Sequence, residues 1–319
     1  MSEFDLIYQW FKGKGSKRSD VLVGIGDDCA VTRVQPGSEL VVSSDTLVEG
    51  VHFPFRTSPE AIGHKLMAVN LSDVAAMGAE PCWASLCLTL PDADASWMDG
   101  FMRGLGELAC AHGVSLIGGD TTRGPLTLSL TIQGQVPRGQ AIRRMGARQG
   151  DLIYVTGPLG DAALALFALQ GGVEMPASTL RILRERLDKP TPRVKAGIAL
   201  RGIASACIDI SDGLFADLGH ILCASGVGAT LDFESIPLSA PAAPYLASGP
   251  GRAMVLSGGD DYELCFTVPE SASSEADAVL RSEGLGGCCI GRVEMGEGLR
   301  CLDAQGGLID VARAGYEHF

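Results

Sequence analysis

Six times along this chain an apolar run stops at an aspartate set among glycine or serine. The segments are GIGDDCA (24–30), SSDTLVEGVHF (43–53), NLSDVAAMGAEP (70–81), GGDTTRGP (118–125), IDISDGL (208–214) and SGGDDYEL (257–264). A carboxylate in a tight turn after a strand is an oxygen ligand offered at a sheet's edge. A fold that gathers such turns must also manage their repulsion, and cations between them do so. Hard divalent ions, above all Mg²⁺, suit these oxygen donors, and clustered Mg²⁺ points to phosphate chemistry. Each turn alone has an ordinary reading, because Asp and Gly are the commonest turn residues and Asp caps helices. Few Lys or Arg adjoin these aspartates, so simple ion pairing does not account for the set.

The chain has 319 residues, enough for two domains. Its formal net charge of −13 argues against a nucleic-acid surface. An anionic substrate stays open, because bound metals invert the local field. The 10 cysteines show no CxxC pair and no zinc spacing. Cys82, Cys87, Cys110, Cys207, Cys223 and Cys265 lie singly in apolar runs and read as buried free thiols. Cys288 and Cys289 are expected on opposite sides of a strand. The segment MSEFDLIYQWF lacks a signal-peptide pattern, and no apolar stretch is long enough to span a membrane. A cytoplasmic protein is expected.

Residues 3–12 read as a short amphipathic helix. Val21–Ile25, Leu40–Ser44, Trp83–Leu90 and Leu126–Val136 read as strands, and 59–78 and 95–112 carry helical spacing. Gly78 and Gly113 stand where helix C-caps belong. The Gly-, Arg- and Gln-rich segment 137–150 reads as a connection, dividing the chain into domains 1–137 and 138–319. Beyond it, strands are expected at 151–156, 206–210, 253–256 and 264–268. Helices are expected after GPLGD, on either side of Pro190–Pro192, and at 212–225. This order predicts two domains of mixed α+β and α/β character. A faint echo links the halves: Asp73 is followed after 47 residues by Asp120, and Asp212 after 48 by Asp260. Either chance or related plans explains it.

The common nucleotide motifs are missing. No GxxxxGK[ST] is present, and Gly104-Leu105-Gly106-Glu107-Leu108-Ala109 lies inside a helical pattern, so it reads as helix packing. What remains is a metal-first site. Asp27 and Asp28 follow a glycine-flanked strand. Ser43 and Asp45 share one strand face, while Ser44 points the other way. Asp73 sits at an expected helix start, where metal binding and N-capping are equally open. Gly119 and Asp120, with Thr121 and Thr122, offer backbone N–H groups to phosphate. Asp209 and Ser211 share a face, and Asp212 enters the next helix. Arg123, Arg143, Arg144 and Arg148 are candidate phosphate ligands or a solvated basic stretch. His52 adjoins a metal-type turn; His64, His112 and His220 read as helix residues.

Taken in order, GIGDDCA, SSDTLVEGVHF, LSDVAAMGAEP, LIGGDTTRGP, VTGPLGD, IDISDGL, SGGDDYEL and the terminal GYEHF closely resemble the thiamine-monophosphate kinase family. That family belongs to the aminoimidazole-ribonucleotide synthetase and selenophosphate synthetase superfamily, and the resemblance runs from about residue 3 to 319. It implies transfer of the γ-phosphoryl group of ATP to thiamine monophosphate. It also implies a two-domain synthetase-like fold and a homodimer whose N-terminal sheets meet. By motif, Asp28, Ser43, Ser44, Asp45, Asp73, Asp120, Asp209 and Asp212 would bind several Mg²⁺ ions. Gly119, Asp120, Arg144 and Ser211 would meet ATP, and His52, Asp260 and Tyr316 the thiamine phosphate. Two positions depart from the family pattern. Ser43 and Ser44 stand where threonine is frequent, and Asp260 where Glu is usual.

The acceptor is a phosphate monoester with a second pKa of about 6, anionic at neutral pH, so no general base is expected. Direct in-line transfer is the expected route, with an aspartyl-phosphate as the alternative. Tyr316, Phe319, Phe53 and Phe55 are candidates to pack on the cationic thiazolium or the pyrimidine, with core packing open for Phe53 and Phe55. The rival readings are another enzyme of the superfamily or a non-catalytic Mg²⁺–nucleotide sensor. A selenophosphate synthetase would carry a reactive Cys before the first Asp turn, and here the first is Cys29, after it.

Overall fold

A computed structural model describes residues 7–247, 249–311 and 314–316. The chain divides into two compact units, one running to Val74 with Ala79–Gly139, the other of Ala75–Gly78 with the chain from Gln140 onward.

In the first unit, Ile7–Phe11 forms one π-type helical turn; the start of the helix expected over 3–12 lies outside the described residues. Then come β1 (Val21–Val23), β2 (Val31–Thr32), β3 (Ser38–Val48), α1 (Pro59–Ala76), β4 (Glu80–Leu90), α2 (Ala95–Ala111), β5 (Ser115–Arg123) and β6 (Thr127–Pro137). The main sheet has the order β3-β6-β4-β5, with β4 and β5 parallel and the other neighbours antiparallel. The period of two in TLSLTIQGQV sets its faces. Leu128, Leu130 and Ile132 point to one face and are fully buried. Ser129 and Thr131 point to the other, where they meet Thr46 and Ser44 through their hydroxyls at 2.7 and 2.6 Å.

Helix α2 starts at Asp94, whose carboxylate accepts the N–H groups of Ser96 and Trp97, and stops at Gly113, which has φ 71°. Gly104 is indeed a packing residue: a Cβ there would stand 1.9 Å from the Glu60 carbonyl oxygen of α1. The backbones of α1 and α2 touch, and any side chain at 104 would part them.

The second unit contains β7 (Leu152–Val155), α3 (Asp161–Leu169), α4 (Ala177–Asp188), α5 (Val194–Ala199), β8 (Ala206–Asp209), α6 (Leu214–Ser225), β9 (Gly228–Asp232), α7 (Ala243–Leu246), α8 (Gly251–Ser257), β10 (Leu264–Val268), α9 (Ser273–Ser282), β11 (Cys288–Glu294) and β12 (Leu299–Leu302). Its six-stranded sheet has the order β12-β9-β11-β7-β10-β8; only β12 and β9 pair in parallel. The core is built from Ile153, Val155, Ile208, Leu218, Leu231 and Ile290, among others.

Four expectations are corrected. Residues 253–256 are helix α8 and not a strand, because a four-residue apolar run carries no period of its own. Asp73 lies near the end of α1, not at a helix start, because helical spacing continues unbroken from Pro59. GGDTTR lies within β5 and is not a turn. The echo therefore falls on unlike elements: Asp73 inside a helix against Asp212 before one, Asp120 on a strand against Asp260 in a turn. Fourth, Cys87, Cys110 and Cys223 are exposed, whereas Cys82, Cys207 and Cys265 are buried. Cys87 pairs with Ser129 in register and so faces the hydroxyl side of the sheet.

Candidate functional site

The candidate residues form three local groups. The first lies on β3. Ser43 and Asp45 stand mid-strand and not at the expected strand end, because the β-branched and apolar run TLV (46–48) continues β3. They lie on the face that looks toward α1, and the Ser43 hydroxyl donates to the Asp73 carboxylate. Ser44 lies on the opposite face, where its hydroxyl meets Thr131 Oγ1 at 2.6 Å. His52 lies in the turn after β3, and its Nδ1 accepts the Val48 N–H at 3.0 Å. Phe53 is core, while Phe55 is 72% exposed.

The second group lies at the other edge of the same sheet. A cleft of about 400 Å³ is lined by Tyr8, Phe11, Asp27, Asp28, Gly119 and Asp120, with Cys29, Leu86 and Ile117 among its further walls. Asp27, Asp28 and Asp120 are all exposed there. The Asp27 carboxylate takes the Asp28 N–H at 3.0 Å, which folds the acidic turn on itself. Gly119 has φ 146°, and a Cβ on it would stand 1.8 Å from the Leu86 carbonyl oxygen, so only glycine allows β5 to lie this close to β4. Lys12 also reaches this rim. Its ammonium sits 4.8 Å from the centre of the Tyr8 ring, against Gly26. The sequence reading named no lysine here.

The third group belongs to the second unit. Asp209 is buried at the end of β8, and Ser211 and Asp212 follow in the turn before α6. Two further segments bond to that turn. The N–H of Asp260 donates to the Ser211 carbonyl at 2.9 Å, and the N–H of Tyr316 to the Asp212 carbonyl at 3.1 Å. IDISDGL, SGGDDYEL and the start of GYEHF therefore meet at one place. Phe319 lies outside the described residues.

Asp217 organises this turn, and the sequence reading missed it. One oxygen of its buried carboxylate accepts the N–H groups of Ser211, Asp212 and Gly213 at 3.0, 3.0 and 3.1 Å. Burial pushes its pKa up to about 6, against the pull of those N–H bonds. The cue was an Asp five residues after Asp212, in the first turn of α6.

The arginines differ in setting. Arg143, Arg144 and Arg148 are exposed on the irregular stretch after β6. Arg123 is engaged at its own sheet edge, bonding the Pro91 carbonyl at 3.1 Å and Asp92 at 3.4 Å. Among the described residues, no group of three or more His, Cys, Asp or Glu is arranged to hold a metal ion. No helix among them is long and apolar enough to cross a membrane.

Residues 26–136 match the N-terminal domain of AIR synthase related proteins, and residues 148–303 match the C-terminal domain of the same proteins. The thiamine-monophosphate kinase of Salmonella typhimurium is 46% identical over 319 residues, covering 99% of this chain and 98% of that one. A crystal structure of the thiamine-monophosphate kinase from Stenotrophomonas maltophilia K279a is 48% identical, with TM-score 0.85 over 89% of this chain and 92% of that chain. A structure described as AaThiL complexed with AMPPCP and TMP is 34% identical, with TM-score 0.77 over 92% of each chain. The chain belongs to the AIR synthase related family and, within it, to the thiamine-monophosphate kinases.

Proposed function

We propose that this protein transfers the γ-phosphoryl group of ATP to thiamine monophosphate, giving thiamine diphosphate. The observation that carries this reading is near-full-length identity to thiamine-monophosphate kinases, joined to the convergence of IDISDGL, SGGDDYEL and Tyr316 on one turn. A related structure holds AMPPCP and TMP together, which supports ATP and thiamine monophosphate as the substrate pair.

The donor set suits Mg²⁺. It consists of carboxylate and hydroxyl oxygens, and the carboxylates of Asp28 and Asp120 stand exposed at a cleft. Mg²⁺ in phosphoryl-transfer sites takes one or two carboxylates and completes its shell with phosphate oxygens and water, so no single chain need present a full cage. Asp28, Ser43, Ser44, Asp45, Asp73, Asp120, Asp209 and Asp212 are the proposed ligands. Mg²⁺ bound by these residues would supply charge neutralisation at the phosphate oxygens. Gly119 offers ATP an approachable backbone, and Arg144 and Ser211 bind its oxygens. His52, Asp260 and Tyr316 hold the acceptor, whose phosphate attacks directly with no phosphoenzyme and no general base.

We infer that the working form is a homodimer. Ser43 and Asp45 lie on one edge strand and Asp120 on the other, with β6 and β4 between. Three strand spacings put them about 14 Å apart, too far to share one ion. A second copy laid on the open sheet face would cover the hydroxyl row of Ser44, Thr46, Ser129 and Thr131 and bring further side chains to the sheet. That face also exposes Leu40 and Val42, which are 48% and 58% accessible. Val42→Glu should convert the dimer to monomer in sedimentation and lose activity with it; a fully active monomer would remove the inference. A cytoplasmic setting fits the use of ATP and ten free thiols.

The deciding experiment incubates the protein with Mg²⁺, ATP and thiamine monophosphate and follows thiamine diphosphate by chromatography. Selenide and formylglycinamidine ribotide serve as rival acceptors. ATP binding without thiamine diphosphate formation would favour the sensor reading and overturn this one.

A further inference from the structure

The segment Asp260–Glu263 is held in an unusual backbone state. Asp260 has φ 71° and Tyr262 has φ 49°. Left-handed backbone is costly for residues that carry a Cβ, and Tyr lacks the local hydrogen bonding that eases Asp into it. Two such residues within three persist only where the surroundings over-determine them.

The surroundings here are two buried acids that the proposed reaction does not use. Asp261 lies between the left-handed pair, 7% exposed, and both its oxygens accept the Gly160 N–H at 3.0 Å. Glu263 is 1% exposed. Its carboxylate accepts from Thr156 Oγ1 at 2.7 Å, Arg186 Nη2 at 2.8 Å and Arg193 Nε at 2.7 Å. Gly157 permits this approach, since a Cβ there would stand 2.5 Å from Glu263 Oε1. The turn 156–160 is thereby clamped to 261–263. Burying charged groups is a poor way to gain stability, so a buried cluster of this size calls for another return, and conformational specificity is one.

We propose that Asp261 and Glu263 are positioning residues: anchored on Gly160, Thr156 and Arg193, they lock Asp260 and the Tyr262 hydroxyl into the geometry that recognises the acceptor. The Tyr262 hydroxyl donates to the Asp260 carboxylate at 3.2 Å, so the two left-handed residues hold one carboxylate orientation between them. Asp261 and Glu263 are both buried and act through the residues that they hold. The inference rests on the reading of Asp260 as an acceptor contact. It deepens that reading by saying what aims the shorter Asp side chain.

The test compares KM for thiamine monophosphate with KM for ATP, alongside melting temperature. Asp261→Ala should raise the acceptor KM about tenfold or more and leave the ATP KM within about twofold, on the scale of lost supporting hydrogen bonds. Asp261→Asn keeps an oxygen for the Gly160 N–H and should recover most of that loss. Arg193→Lys keeps the charge but not the fork around Glu263, and should raise the acceptor KM about threefold. A merely structural role would lower the melting temperature and leave both KM values alone; that result in folded Asp261→Ala overturns the inference. Should Asp261→Ala not fold, Arg193→Lys decides in the same terms. Asp260→Ala separates the two readings. An unchanged acceptor KM there removes Asp260 itself, whereas a raised one beside a silent Asp261→Ala removes only the positioning role.

Discussion

The two units handle their acids in opposite ways. In the first, Asp27, Asp28 and Asp120 stand exposed around a cleft, on loop and edge-strand backbone. In the second, Asp161, Asp209, Asp217, Asp261 and Glu263 are buried. Asp217 takes three backbone N–H groups, and Glu263 takes Thr156, Arg186 and Arg193. Even the titration differs within this set. Burial drives Asp261 well up, while for Glu263 the hydrogen bonds and charge of Arg193, with Thr156 and Arg186, outweigh burial and hold it down. An exposed carboxylate keeps its capacity for an incoming cation. Asp217 and Glu263 have spent it on backbone N–H groups and on side-chain partners, while Asp209 is the buried acid kept among the proposed ligands. The first set is suited to bind, and much of the second is suited to aim what binds.

Chelation breaks this comparison most severely. EDTA should abolish turnover, and Mg²⁺ should restore it, with Ca²⁺ a poor substitute because of its larger radius and looser shell. The melting temperature should hardly move, because the exposed acids of the first unit hold no fold together. Full turnover in metal-free buffer would remove the metal from the proposal. Next come single ligands. Asp45→Asn or Asp120→Asn should lower kcat by about two orders of magnitude or more, the scale of lost transition-state electrostatics. Normal circular dichroism should accompany that loss. A variant with wild-type kcat would take its residue out of the site.

Asp217→Ala tests the other half. It removes the acceptor of three N–H groups without touching any proposed ligand side chain, so it should raise the Mg²⁺ concentration for half-maximal activity about tenfold. Its melting temperature should change too, unlike that of Asp120→Asn. An unaltered Mg²⁺ requirement would show that the turn at 211–213 holds itself.

Much of this arrangement was legible in the sequence, and the failures share a cause. TLSLTIQGQV and the helical spacing of 59–78 and 95–112 gave correct elements because long periods are hard to mistake. GGDTTR has the composition of a turn, yet it forms an edge strand where glycine is needed for contact with β4. The letters LSD suggest a helix start at Asp73, whereas the helical spacing runs through it from Pro59. Asp217 passed unnoticed because its role is to hold backbone four to six residues upstream, and composition does not show that. Short patterns reported which residues carry chemistry better than they reported the elements those residues occupy.

The smallest expected effect concerns the acceptor's ring. Tyr316 is tied to the site through its backbone, its N–H donating to Asp212, while the residue is 46% exposed. A half-exposed aromatic residue tied to the Asp212 turn is suited to stack on the thiazolium or pyrimidine. Tyr316→Ala should cost about 1 kcal/mol of acceptor binding, about fivefold in KM, with the ATP KM unchanged. Tyr316→Phe should retain nearly all of it, because the face of the ring matters and the hydroxyl does not. The backbone bond to Asp212 survives both substitutions, so the turn and its Mg²⁺ requirement should stay as they are. That separates Tyr316 from Asp217, whose loss should move the Mg²⁺ requirement. If Tyr316→Ala instead raised both KM values together, the residue would be a brace for the 211–213 turn, and the ring contact would be withdrawn.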